Sequence, residues 1–214
     1  ELADAVMHDP LMTLKVLRYL QQHHTKRQSM EITTIARALI MLGTTPFFRH
    51  FARLPVIETT LKQQPEALQG VMQAMSRARH AALFAQDWAA LRHDIDSDEV
   101  VVAALLRDLS EMLMWCFAPD LMLKVRGLMR ANARLRSADV QKHIFGFRGL
   151  DLQLALAEHW QLPKLLQSLM DETHAEHPRA KNVKLAVQLA RHLGNSWQDA
   201  ALPDDYRAIG AMLH

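Results

Sequence analysis

Apolar residues recur at three- and four-residue spacing along almost the whole chain, and no stretch alternates apolar and polar residues at period two. A chain patterned this way buries its apolar surface between helices and not in a sheet. Only seven glycines interrupt the 214 residues. The expected fold class is therefore all-α, with about ten or eleven helices. Half of the residues are hydrophobic and 22% are charged, which supplies a sizeable core and excludes a disordered tail.

Prolines and glycines place the helix ends. Asp9 caps a helix that Pro10 opens, because proline's missing N–H costs nothing at the first helical position. Leu11, Leu14, Leu17 and Leu20 then share a face. A second helix is expected over 31–42, with Gly43 ending it, and Pro46 opens a short third through Phe47, Phe48 and Phe51. Pro65 opens a long helix reaching about Arg92. After the polar break 93–98, one helix is expected from Val100 to Phe117, followed by one from Pro119 to about Leu135. Shorter helices follow: one starting at Ser137, one from Asp151 to Trp160, one from Pro163 to His174, one from Pro178 to His192, and one from Asp204 to Leu213. The expected division is a small N-terminal helical lobe (1–60) and a larger bundle (61–214), with the seam between 52 and 65.

The formal charge of +2 gives no global pull toward nucleic acid or a membrane. The single cysteine, Cys116, forms no internal disulfide and reads as a small core residue. No apolar run approaches the roughly 18 residues of a membrane helix, and no leader pattern is visible, so a cytoplasmic setting is expected. The chain opens at Glu1 in mid-helix, and a preceding segment is expected.

Several blocks then align, in order, with one family. Asp9-Pro10-Leu11-Met12-Thr13-Leu14-Lys15-Val16-Leu17-Arg18 resembles the D-P-x-L-x-x-K-V-L-R opening of HDOD domains, with Gln21-Gln22 where Asn-Ser usually follows. Residues 32–43 (ITTIARALIMLG) resemble the next block, a helix ending in Leu-Gly. Residues 103–110 (AALLRDLS) resemble the A-x-L-L-H-D-I-G helix that carries the His-Asp doublet in catalytic relatives. Phe145-Gly146-Phe147 and residues 157–163 (AEHWQLP) resemble the F-G and W-x-L-P segments. The resemblance implies an all-α fold whose larger lobe is related to HD phosphohydrolases and HD-GYP phosphodiesterases. It also implies a bacterial signalling role, in proteins that generally lack hydrolase chemistry.

An HD hydrolase gathers His and Asp ligands around one or two divalent ions, which generate hydroxide and polarise a phosphate. By the resemblance, His80 matches the first ligand, Arg107 replaces the doublet histidine, and Asp108 keeps its aspartate. Gly149 stands where the next histidine would be, and Thr173-His174 where a His-His pair is usual. These six residues are expected to form a vestigial, metal-free pocket with no catalytic residue and no cofactor. A permanent guanidinium at Arg107 is a poor neighbour for a dication and replaces its charge. The other metal signals are weak. Asp94, Asp96 and Asp98 mimic the start of a calcium loop, but Glu99 and Leu105 stand where it needs Gly and Glu. His174 and His177 lack a third ligand, and His23-His24 reads as a polar loop. No nucleophile elbow, Walker A loop or dinucleotide fingerprint is present.

Two features suit binding. Arg126, Arg130 and Arg134 fall at i, i+4 and i+8 on one helical face, which would meet an acidic partner, a nucleotide or nucleic acid. A solvated face balanced by acids such as Asp171, Glu172 and Glu176 is the plainer reading. Twelve methionines and four tryptophans read chiefly as core, with Trp197 expected to be partly exposed. The function these residues support is a non-enzymatic regulatory module that binds a protein partner or a fused signalling domain. The alternatives are a degenerate metal-dependent phosphohydrolase and, third, a small-molecule sensor.

Overall fold

A helix that is apolar on every side has to run through the middle of the protein, and residues 97–106 form that helix. The computed structural model describes residues 1–23, 31–132, 135–174 and 176–214. Among them are fourteen α-helices, one 3-10 turn and no strand. The N-terminal lobe holds α1 (Leu2–Met7), α2 (Pro10–His23), α3 (Ile35–Leu42) and α4 (Thr44–Phe51), with the single turn α5 (Ile57–Thr60) leading out of it. The larger lobe holds α6 (Pro65–Leu91), α7 (Ser97–Leu106), α8 (Leu109–Phe117), α9 (Pro119–Ala131), α10 (Ser137–Phe145), α11 (Gly149–His159), α12 (Lys164–Met170), a 3-10 turn (Glu172–His174), α13 (Pro178–Asn195) and α14 (Leu202–Leu213).

Local chemistry explains most of these ends. The Asp9 carboxylate accepts hydrogen bonds from the Leu11 and Met12 amides at 2.8 and 3.1 Å, the cap expected before Pro10. Leu14, Leu17 and Leu20 are buried, and Leu11 packs partly against them. α3 begins at Ile35, four residues later than expected, because Thr34 caps it by accepting from the Arg37 amide. Ile32 is nonetheless buried, in the extended lead to the helix. Gly43, at φ +79°, ends α3 and starts α4 at once, two residues before Pro46. α13 runs to Asn195, past the expected stop at His192.

α7 packs against α6, α13, α12 and α2. All its residues from Glu99 to Leu106 are buried, and each Val or Leu side chain among them contributes about 1.5–3 kcal/mol by leaving water. The long α6 supplies an alanine-rich face that allows close approach. At Gly70 it touches the Trp115 ring of α8, where a Cβ would lie 2.3 Å from a ring carbon.

One apolar cluster continues from α2 and α3 into the larger lobe, and Leu61 in the seam is part of it. Polar contacts also join the lobes. Buried Thr33 donates to Glu99 Oε1 at 2.6 Å, and Arg179 donates to Glu99 Oε2 at 3.0 Å and to Asp94 Oδ2 at 2.9 Å. The Arg18 guanidinium lies over the Trp160 ring, 4.5 Å from its centre.

Gly70→Ala is expected to destabilise the protein by about 1–3 kcal/mol, because a rigid indole must shift to admit the methyl group. Gly127, in the exposed interior of α9, meets nothing within 4 Å, so Gly127→Ala should stabilise by about 0.5–1 kcal/mol. Thermal unfolding of the two variants should move in opposite directions.

Candidate functional site

The single helix expected from Val100 to Phe117 is broken. α7 stops at Leu106 and α8 restarts at Leu109, so Arg107-Asp108, which the sequence resemblance sets against the His-Asp doublet, forms the junction. The Arg107 amide reaches back three residues, to the Ala104 carbonyl at 3.4 Å. A break inside the core leaves backbone groups without helical partners, and such groups must find others. Gln153, fully buried on α11, supplies both: its Nε2 donates to the Leu106 carbonyl and its Oε1 accepts from the Ser110 amide, each at 2.9 Å.

Asp108 precedes α8 as its N-cap, yet its side chain makes no cap hydrogen bond. Its carboxylate goes instead to Arg191 of α13, whose Nη2 lies 2.9 and 3.0 Å from the two oxygens. Burial by itself would raise the Asp108 pKa. The charges of Arg191, Arg107 and Arg77, with the Arg191 hydrogen bond, outweigh burial and hold it below the usual carboxylate range. Arg77 comes from α6 and pairs with Glu111 of α8 at 2.5 Å.

Beside this junction is a cavity of about 180 Å³. Arg107, Asp108 and Glu111 face it from the α7–α8 junction, Lys184 and Arg191 from α13, Ser137 and Gln141 from α10, and Gly149 and Leu150 from the start of α11. Gln141 accepts from the Gly149 amide at 2.8 Å and donates to Ser137 Oγ at 3.3 Å.

The structure gathers three of the six residues singled out in the sequence, Arg107, Asp108 and Gly149, around this cavity. His80 lies on the exposed side of α6, and the residue of that helix that reaches the junction is Arg77, three positions earlier. Thr173 and His174 sit in the 3-10 turn after Asp171 has turned the chain away from α12. There Thr173 donates from its amide and its hydroxyl to Asp171, at 2.9 and 2.8 Å, and His174 Nδ1 is 3.6 Å from the same carboxylate. These bonds hold Asp171 below its usual pKa, led by the Thr173 amide and opposed by partial burial, with the charges of His174 and Arg107 assisting. Arg107 thus acts electrostatically on both places.

Arg191, Arg77 and Gln153 were not singled out in the sequence. Gln153 had a faint signal, a glutamine on the same helical face as the apolar Ala157. The two arginines had none.

The row of basic residues is divided. Arg126 lies over the Trp115 ring, 5.0 Å from its centre and 3.9 Å from Glu66, while Arg130 is exposed. Arg134 lies outside the described residues, as does His24. Arg148 pairs with Asp151. Asp94 binds Arg179 and the Asp96 amide rather than converging with Asp96 and Asp98 on a common point. His177 Nδ1 accepts from the Arg179 amide to cap α13, while its own amide donates to the His174 carbonyl at 2.9 Å. Burial pushes the Cys116 thiol up, and Trp197 is 82% exposed. Among the described residues, no group of three or more His, Cys, Asp or Glu side chains could hold a metal ion.

The HDOD domain family model matches residues 1–176. The chain belongs to the HDOD family. Solved structures share its fold along almost its whole length. The MmoQ response regulator from Methylococcus capsulatus str. Bath superposes with a TM-score of 0.70 at 16% identity, covering 100% of this chain and 88% of that one. A virulence factor from Campylobacter jejuni gives 0.69 at 20% identity, covering 98% and 74%. An HDOD domain protein of unknown function from Geobacter sulfurreducens gives 0.56 at 18%, covering 99% and 76%. No curated protein matches the sequence. The divalent ions that the HD relationship of HDOD domains implies do not fit these residues. The one carboxylate at the doublet position is held by a guanidinium, its neighbour is a second cation, Gly149 offers no side chain, and His80 faces away.

Gln153→Leu strands a buried carbonyl and a buried amide, and should cost about 2–6 kcal/mol in chemical denaturation, about 1–3 kcal/mol for each orphaned group. Asp108 is depressed in the folded state, so the stability it contributes is complete above its unfolded pKa near 4 and is lost as pH falls through the lower folded value. Arg191→Met removes the group that lowers it most, so the variant should be less stable than the native protein at about pH 6, and the gap between them should narrow as pH falls below about 4. Unfolding measured between about pH 2 and 6 checks this.

Proposed function

We propose that this HDOD chain is a non-enzymatic regulatory module of bacterial signal transduction, working in the cytoplasm by binding a protein partner or another domain of its own polypeptide. One observation carries the reading. The doublet aspartate, which in a hydrolase would ligate a metal ion, pairs with Arg191 in this chain, and Arg107 and Arg77 add to the positive charge around it. A guanidinium satisfies the charge of the carboxylate but supplies no bound water to activate. The likeness to a response regulator supports a signalling setting. On this reading the HD scaffold is kept as a rigid frame, and function lies in the surfaces it presents.

Elemental mass spectrometry of the purified protein, followed by Mn²⁺ reconstitution and phosphodiesterase assays on cyclic dinucleotides and bis(p-nitrophenyl) phosphate, tests the reading. The expected result is no stoichiometric metal and no turnover above that of Asp108→Asn. Stoichiometric metal with turnover that Asp108→Asn abolishes would make the chain a metal-dependent phosphohydrolase.

A further inference from the structure

Side chains that would repel a dication are well placed to hold an anion. Among the described residues, four cations line the cavity beside Asp108, namely Arg107, Arg148, Lys184 and Arg191, against two carboxylates, Asp108 and Glu111. Both lining carboxylates are already paired with guanidinium groups, Asp108 with Arg191 and Glu111 with Arg77, which weakens their repulsion of an incoming anion. Lys184 makes no hydrogen bond or ion pair with any described residue.

The backbone adds to this field. First-turn residues of three helices face the cavity: Ser110 of α8, Ser137 and Ala138 of α10, and Gly149 and Leu150 of α11. Each helix contributes the positive end of its dipole. The apolar part of the wall is formed by Met114, Met122, Phe145 and Val187, with Gln188 beside them. The volume of about 180 Å³ is below the roughly 300–1,000 Å³ of drug-sized sites and near the 150 Å³ of a cavity that accepts benzene. A cyclic dinucleotide does not fit this space.

We propose that this cavity binds a small organic anion, a phosphate or carboxylate group on an apolar body no larger than one ring, with Lys184 at the charged end and the methionine and phenylalanine side chains around the rest. The proposal rests on the metal-free reading of the same site. A ligand seated there touches α8, α10, α11 and α13 together, so its occupancy would be felt across much of the larger lobe.

The test is isothermal titration calorimetry of the intact chain in EDTA, with phenyl phosphate, benzoate, inorganic phosphate and, as the neutral control, benzyl alcohol. Saturable, salt-sensitive binding of phenyl phosphate or benzoate is expected, with benzyl alcohol silent. The preferred anion identifies the head group, and weaker binding of inorganic phosphate reports the apolar wall. Lys184→Ala should weaken binding about tenfold at an unchanged unfolding temperature, and Lys184→Arg should restore most of it. Gln188→Glu, which adds a carboxylate to the lining, should weaken binding as well. Absence of saturable binding up to about 10 mM, with and without Mn²⁺, overturns the anion proposal and leaves the metal-free reading intact. Binding that appears only with added Mn²⁺ overturns both. Binding indifferent to Lys184→Ala and Gln188→Glu overturns the assignment to this cavity.

Discussion

The burial of α7 is the constraint on which the rest of the structure depends. No face of its apolar sequence is left for solvent, so α6, α12 and α13 close around it and α2 covers it from the smaller lobe. A helix enclosed in this way cannot continue into a charged doublet without ending. Its termination at Leu106 delivers Arg107 and Asp108 to the edge of the core, where α13 and α8 supply partners.

That termination is stabilised by two kinds of interaction. The Gln153 amide meets the carbonyl and the amide that the break exposes, one donor and one acceptor in a single planar group. The Arg191 guanidinium meets the charge that Asp108 brings into a poorly solvated place. Buried charge is tolerated when paired and hydrogen-bonded, and is costly otherwise. The same rule governs the other end of α7, where Glu99 is held by Thr33 from one lobe and Arg179 from the other. Both ends of the central helix are therefore anchored by buried or half-buried ionic groups, and the upstream anchor also docks the lobes.

The charge pattern connects structure to function. An HD-type scaffold can hold a cation between carboxylates and imidazoles. In this chain the scaffold brings guanidinium groups around Asp108, an arrangement that suits the anion site proposed above better than a metal centre. Of the basic residues of α9, Arg126 is drawn into packing on Trp115 of α8 while Arg130 stays exposed. A row of arginines at helical spacing is therefore not the same as an exposed basic face.

The sequence by itself determined the all-α class, the family, the cap at Asp9 and the turn at Gly43. Each is a matter of local periodicity, turn chemistry or ordered motif, which neighbours in the chain decide. Only the tertiary structure decided that α7 and α8 are separate, since Leu105 to Leu109 reads as one helix until the core must end it. The same is true of Arg191, Arg77 and Gln153, which join Asp108 and its junction across 83, 31 and 45 residues respectively, differences of their sequence numbers. It is equally true of His80, which matches a motif by position yet points outward, because the rotation of α6 is set by packing Gly70 and its alanines against α7 and α8. Pairing at such separations depends on how helices rotate and cross when their apolar faces close on one another, and no local pattern in the chain records that.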